Sequence, residues 1–296
     1  MQIGRGRGDR LAVGLIVGLP LALVVGLIWL PAIASVGLSF TDWDGIGGLE
    51  SLDFIGLANY HDLLAVQPAF ARAIGNNLLW LLGLLLVATP LGMAFAVLLD
   101  RRLRGSAFYE SALYLPVVLS LALVGLVWQL QYAPEQGLLN NLLGRTGQEN
   151  LIDWLGDRNL NIWAALVAGG WRHVGYITLL YLAGLRSVDP NIREAAAIDG
   201  ASERQAFRWV VFPALAPVNV VVLIVTVIEA LRAFEVVYVL NRGQNGLELL
   251  SILVVNSLLG EASRIGFGSA VATVLLLISI APIALYLRRA FRLQPA

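Results

Sequence analysis

The chain has 296 residues, 58% hydrophobic and 14% charged, with a formal net charge of zero. A soluble domain of this length carries about 25% charged residues, so the composition indicates a polytopic membrane protein, whose long apolar runs imply an all-α fold, and its neutrality suggests no nucleic-acid partner. All 20 basic residues are Arg, Cys is absent and His occurs only at 61 and 173, which excludes a lysine-dependent ATP loop, disulfides and thiolate chemistry and argues against a catalytic or metal centre in this chain.

Six apolar segments are long enough to cross a bilayer: about 11–38, 74–99, 111–131, 161–184, 213–240 and 269–287. The first follows a short Arg-bearing terminus, 1–10, and passes through "AIA" at Ala32–Ala34, a pattern that also fits a cleavable signal peptide. Its apolar run of about 20 residues exceeds the usual 7–15 of such peptides, so an uncleaved anchor is expected. "GIGG" at Gly45–Gly48, with no Lys to follow it, reads as a loop. Pro20, Pro90 and Pro116 fall inside spans, where neighbouring helices can satisfy the freed backbone groups.

The arginines set the expected orientation. Arg5, Arg7, Arg10, Arg101, Arg102, Arg104, Arg186, Arg193, Arg204, Arg208, Arg288, Arg289 and Arg292 fall on one side. Arg72, Arg145, Arg158, Arg242 and Arg264 fall on the other, and Arg172 and Arg232 lie within spans. The richer side is expected to be cytoplasmic, with both termini on it. The outer loops 41–73 and 132–160 then carry Trp43, Tyr60 and Trp154, and their place suits contact with an extracytoplasmic protein.

Between the fourth and fifth spans lies a polar loop, 185–212. Asp189 followed by Pro190 is a capped helix start. Gly200 can end that helix in the left-handed conformation, and Ser202 with Gln205 three residues on forms a capping box for a second one. On propensity alone, such a helix pair could simply lie on lipid headgroups.

The spacing is more specific than that. Glu194-Ala195-Ala196, three residues, Gly200, nine residues, Val210, one residue and Phe212-Pro213 resembles the EAA loop of permeases in binding-protein-dependent ABC importers. Phe212 stands where the family pattern has Leu. "FIGLANY" at Phe54–Tyr60, "LYLPVVLS" at Leu113–Ser120, "GLLN" at Gly137–Asn140, "LAGLRSVDP" at Leu182–Pro190 and "AFEVVYVL" at Ala233–Leu240 resemble the carbohydrate, maltose-type branch. "NRGQNGLEL" at Asn241–Leu249 departs from the Gly-Gly-Pro-rich segment of many relatives.

The resemblance implies a type I ABC importer permease fold over residues 11–290, in a bacterial cell membrane, with the 185–212 loop as a cytoplasmic coupling element. It also implies a second homologous permease, two ATPase subunits that hold ATP and Mg, and a solute-binding protein that delivers a sugar. Within the loop it implies that Arg193, Glu194, Ala195, Ala196, Asp199, Gly200 and Pro213 serve ATPase coupling, with Glu194 a main contact.

Ionisable residues inside spans are costly and usually functional. Arg172 and His173 lie mid-span beside Trp171, and Glu229, Arg232 and Glu235 follow at helical spacing in span five. Two readings stay open. One is a structural ion-pair network, Arg172 with Glu229. The other is a hydrophilic lining for a sugar, with Trp171, Tyr176 and Phe234 stacking and Arg172, Glu229, Arg232 and Glu235 bonding. Asn76, Asn77, Trp128 and Gln129 read as entrance lining or, more simply, as interfacial belt and caps. Glycerol phosphates are the alternative substrate class, suited by Arg172 and Arg232. A stand-alone secondary transporter or channel would need inverted repeats, of which the sequence gives no sign.

Overall fold

The structure is a computed structural model, and it describes residues 7–101, 104–147, 149–260 and 263–292. Residues 1–6 of the expected N-terminal segment, and with them Arg5, lie outside the described residues, as does Arg102. Helices overlie all six apolar segments. The first, α1, covers residues 7–38; α2 is Pro68–Asp100; α3 and α4 are Ser106–Val118 and Leu121–Gln131. Then come α5, Asn161–Ser187; α6, Pro190–Ile198; α7, Glu203–Ala214; α8, Ala216–Leu231; and α9, Glu235–Asn241. The last two are α10, Leu250–Leu259, and α11, Ile265–Arg292.

Among the described residues, three helices are apolar enough to cross a bilayer unbroken: Val13–Leu38, Pro68–Asp100 and Ile265–Pro282. Two bent helix pairs are apolar enough when each is taken together, as a broken span or a re-entrant loop. The segment expected at 111–131 turns through 103° between α3 and α4, and the one expected at 213–240 joins α7 to α8 through 72°. The fourth segment is α5, 27 residues or about 40 Å long, whose apolar run is interrupted by Arg172 and His173. The ten-residue α10 is too short to cross.

Proline chemistry explains the shape of several helices. Proline lacks an N–H, and its ring crowds the carbonyl four residues back. Wide turns with i→i+5 geometry occur at Val25–Trp29, Asp62–Val66, Leu84–Ala88 and Phe207–Val211. Each ends two residues before a proline: Pro31, Pro68, Pro90 and Pro213. The widened turn moves the crowded carbonyl away, so the helix continues through Pro31, Pro90 and Pro213 instead of breaking. At Leu119 no such relief occurs. The chain becomes extended, and Ser120 recaps it by accepting from the Leu123 N–H at 3.2 Å.

The chain forms two compact units: Met1–Gln67 with Val254–Leu276, and Pro68–Leu253 with Leu277–Ala296. The first contains α1, whose apolar stretch has no buried residue, as suits a helix solvated by hydrocarbon. In the same unit Asn59 donates to the carbonyls of Ser39 and Thr41 at 3.0 and 2.7 Å, and Gly266 donates to Trp43 at 2.9 Å.

The second unit has two apolar clusters. One gathers Trp80, Val124, Tyr132, Ala165, Leu240 and Ile252; the other gathers Ala96, Ile177, Leu182, Leu185, Leu215 and Val222. Helices α2 and α5 approach closely where glycines face neighbours. A Cβ on Gly92 would lie 2.8 Å from the Ile177 side chain and 2.9 Å from the Val174 carbonyl, and one on Gly169 would strike Trp80 at 2.6 Å.

Candidate functional site

Two arrangements in the second unit carry chemistry. The first is a polar node where α2, α5 and α8 meet. Arg172 and His173 are adjacent on α5, and both reach Glu229 on α8. Arg172 Nη1 donates to Glu229 Oε1 at 2.9 Å, and His173 Nδ1 lies 2.7 Å from Oε2. A carboxylate only accepts, so Nδ1 carries the proton. In a neutral imidazole, Nε2 then accepts from the Thr226 hydroxyl, 3.2 Å away and one turn before Glu229. Thr89 of α2 completes the node, 3.4 Å from Thr226 Oγ1 and 3.5 Å from His173 Nε2. His173 is wholly buried, while the side chains of Arg172 and Glu229 remain 21% and 25% exposed.

That residual exposure opens into a cavity of about 390 Å³, within the ~300–1,000 Å³ range of small-molecule sites. Arg172, Glu229, Arg232 and Glu235 line it, with the rings of Trp80, Tyr176 and Phe234. Glu229 is committed to Arg172 and His173. Arg232 and Glu235 are exposed and have no partner among the described residues. They flank a break in the helix at 232–234, where Phe234 leaves the helical region and Glu235 starts α9.

Of the residues singled out in the sequence, Arg172, Tyr176, Glu229, Arg232, Phe234 and Glu235 come together in this cavity. Trp171 does not. It packs into the apolar cluster, edge-on to Trp128 at 5.9 Å. Thr226 and Thr89 belong to the node without having been picked out in the sequence, and His173, noted there as an ionisable residue inside a span, had been given no part in the site. The i,i+3 spacing of Thr226 and Glu229 was the available signal for one of them; Thr89 had none.

The residues considered for an entrance hold chain segments together. Asn76 donates to the Gly246 and Glu248 carbonyls, both at 2.8 Å. Asn77 accepts from the Leu250 N–H at 2.9 Å, and Gln129 donates to Leu240 at 3.3 Å. These bonds pin the segment between α9 and α10. Tyr60 and Trp154 of the outer loops also turn to internal partners: Tyr60 to the Ser39 hydroxyl at 2.7 Å, Trp154 to Asn140 Oδ1 at 3.0 Å.

The second arrangement is the helix pair α6–α7. Asp189 accepts from the Asn191 N–H at 2.9 Å, with Pro190 next in line. At the far end Gly200 has φ +81°, Ala201 donates back to Ala196 at 3.0 Å, and Gly200 donates to Ala197 at 3.1 Å. This is a Schellman ending, which requires the left-handed glycine. Ser202 starts α7, its N–H and hydroxyl both donating to Gln205 Oε1, at 2.9 and 2.8 Å. Pro213 sits after the wide turn within α7.

The pair has a tied side and a free side. Ala196 is buried and Arg193 half-buried, whereas Glu194, Ala195, Asp199 and Gly200 are exposed. Arg193 donates to Asp100 at 2.7 Å and to the Leu185 carbonyl at 2.9 Å. Glu194 and Asp199 have no side-chain partner among the described residues. Ile198 stands 85% exposed beside them.

Comparison with known proteins agrees with this architecture. The family described as "Binding-protein-dependent transport system inner membrane component" matches residues 88–293. A protein of Pyrococcus horikoshii named "Probable ABC transporter permease protein" is 32% identical over 91% of this chain and 92% of its own length. The xylose/arabinose import permease protein of Haloferax volcanii is 32% identical over 91% of this chain and 85% of its own. Among solved structures, a bacterial ABC transporter involved in importing the acidic polysaccharide alginate contains a chain of the same fold. The TM-score is 0.82 at 19% identity, covering 98% of both chains.

Proposed function

The chain belongs to the binding-protein-dependent transport system inner membrane component family, and from that premise we propose that it is the permease subunit through which an ABC importer takes up a neutral sugar. As a family member it is a membrane-embedded transport component. In the proposed assembly it crosses a cell membrane six times, with both termini and the α6–α7 pair in the cytoplasm. A second permease lies beside it, an extracytoplasmic binding protein delivers the sugar, and two ATPase subunits hold ATP and Mg. The name of the Haloferax volcanii relative supports the substrate class, and the family description supports the binding protein.

One observation carries the sugar reading: a single cavity combines aromatic rings with planar charged groups of balanced sign. Sugars offer apolar ring faces for stacking and hydroxyls that bond in pairs to guanidinium and carboxylate groups. Two arginines and two carboxylates share the cavity lining, so there is no net positive field of the kind that would favour a phosphate or an acidic sugar. The ion pair and the lining are compatible roles: Glu229 neutralises Arg172, and their exposed edges face the cavity.

On the cytoplasmic side, Glu194, Ala195, Asp199 and Gly200 present the face that docks on an ATPase, while Ala196 seats the helix and Pro213 leads into the fifth span. Closure of the ATPase pair moves the docked helices, and the spans follow in alternating access.

The test is uptake by the assembled complex in proteoliposomes, with labelled xylose, arabinose, maltose and trehalose set against glycerol 3-phosphate. ATP-dependent uptake of at least one neutral sugar, lost on Arg172→Leu in complexes of normal yield, is the expected result. Uptake of glycerol 3-phosphate alone would transfer the proposal to the anionic substrate class.

A further inference from the structure

We propose that Asp100 is a positioning residue for energy coupling: acting through Arg193, it makes α2 follow the motion of α6. The inference rests on the coupling role proposed for the α6–α7 pair and extends it to a helix that is not next to that pair in the chain. Covalent connection links α6 to α5 before it and to α8 after it. Nothing in the connectivity obliges α2 to move with them.

The side chains supply that link. Asp100 is the last residue of α2, with its side chain 17% exposed, and Arg193 lies in the second turn of α6, 35% exposed. The guanidinium forks across two helix ends, to the Asp100 carboxylate at 2.7 Å and to the Leu185 carbonyl near the C-terminus of α5 at 2.9 Å. The Leu185 carbonyl otherwise accepts only a long bond, from the Val188 N–H at 3.4 Å, so Arg193 gives this last-turn carbonyl a second, shorter donor while holding the end of α2 against it. A lysine has the charge without the fork. Arg193 Nε is buried with no acceptor, so the group depends on these two contacts.

A neighbouring pair, Arg101 with Glu203 at 2.8 Å, also joins α2 to the loop, but its side chains are 55% and 83% exposed. Exposed pairs of that kind contribute little, which leaves Asp100–Arg193 as the stronger of the two ion pairs between the end of α2 and the α6–α7 pair.

From Asp100 the motion has a rigid path inward. Gly92 of α2 lies against Ile177 and the Val174 carbonyl of α5. Thr178 of α5 donates to the Gly92 carbonyl at 3.2 Å. Thr89, eleven residues or about 16 Å along the helix from Asp100, touches the His173–Thr226 node beside the cavity. A displacement entering at α6 thereby reaches three helices at the cavity.

The chain has no Cys, so paired spin labels can be placed on it without background from its own residues, in a complex whose partner subunits are made cysteine-free. Labels at Leu98→Cys on α2 and Asn191→Cys on α6, in the full complex in nanodiscs, report their separation by electron–electron resonance, without nucleotide and with ATP under a hydrolysis block. In the otherwise wild-type chain the distribution is expected to be narrow and unchanged by ATP. In Asp100→Asn it should broaden and shift on ATP binding, and Asp100→Glu should restore it. Should Asp100→Asn fail to assemble, Arg193→Gln removes the same tie from the other side. A wild-type distribution in either variant overturns the proposal. Adding Glu194→Arg to Asp100→Asn should abolish the ATP-driven shift. A shift that persists there would count against the coupling role of α6–α7, leaving the tie itself intact.

Discussion

The α6–α7 pair and the polar node at the cavity are built by opposite means. The capping bonds that start and end the two helices of the pair join residues at most five apart: Asp189 to Asn191, Ala201 to Ala196, Ser202 to Gln205. The node's bonds, among Thr89, His173, Thr226 and Glu229, each span 53 to 137 positions. The pair keeps its form through local capping and can be displaced as a body. The node exists only while three helices are packed. Damage to the node should therefore appear as lost stability, and damage to the free face of the pair as lost coupling in a folded chain.

The largest stability effect is expected at Glu229. Replacing it with Leu leaves Arg172 and His173 without their acceptor, and removing one partner of a buried pair costs about 3 kcal/mol. Thermal melting of the detergent-solubilised complex should show a large fall, and Glu229→Gln, which keeps the shape and one acceptor, a smaller one. A melting temperature unchanged in Glu229→Leu would mean that the node contributes nothing to the fold.

Gly92→Leu comes next. Its side chain would press on Ile177 and the fixed Val174 carbonyl, and overpacking of that kind costs about 1–3 kcal/mol. Gly200→Val makes the matching test in the other region. Nothing lies near a Cβ there, but φ is +81°, and a branched residue in the left-handed region costs about 1–2 kcal/mol. The first should separate α2 from α5 and lower the melting point of the complex. The second should fray α6 and weaken ATPase recovery at nearly normal melting temperature. Equal effects on melting would erase the distinction between the regions.

The same contrast accounts for what could be read from the residues alone. Helix pairing in the 185–212 loop was legible because Asp189-Pro190, Gly200 and Ser202…Gln205 are contiguous signals with local physics. Apolar length likewise marked the helical segments. The 103° turn after Val118 was not legible: Pro116 read as one more proline inside a span, and whether a helix widens, as before Pro90, or breaks, as at Leu119, depends on what packs around it. Arg172 and Glu229 could be paired as the costly charges of two adjacent spans. His173 bridging that pair to Thr226 and Thr89 required the tertiary structure. Arg193 looked like a docking charge by its place beside Glu194, and it faces inward because α2 ends at Asp100.

The most direct measurement is sugar uptake and ATPase recovery on the same preparations of wild type and Glu194→Arg in proteoliposomes with all partner subunits. The account predicts ATP-dependent uptake by wild type. For Glu194→Arg it predicts an unchanged melting temperature of the permease, with uptake abolished and the ATPase subunits lost or uncoupled. Wild-type uptake together with full ATPase recovery in Glu194→Arg would contradict it.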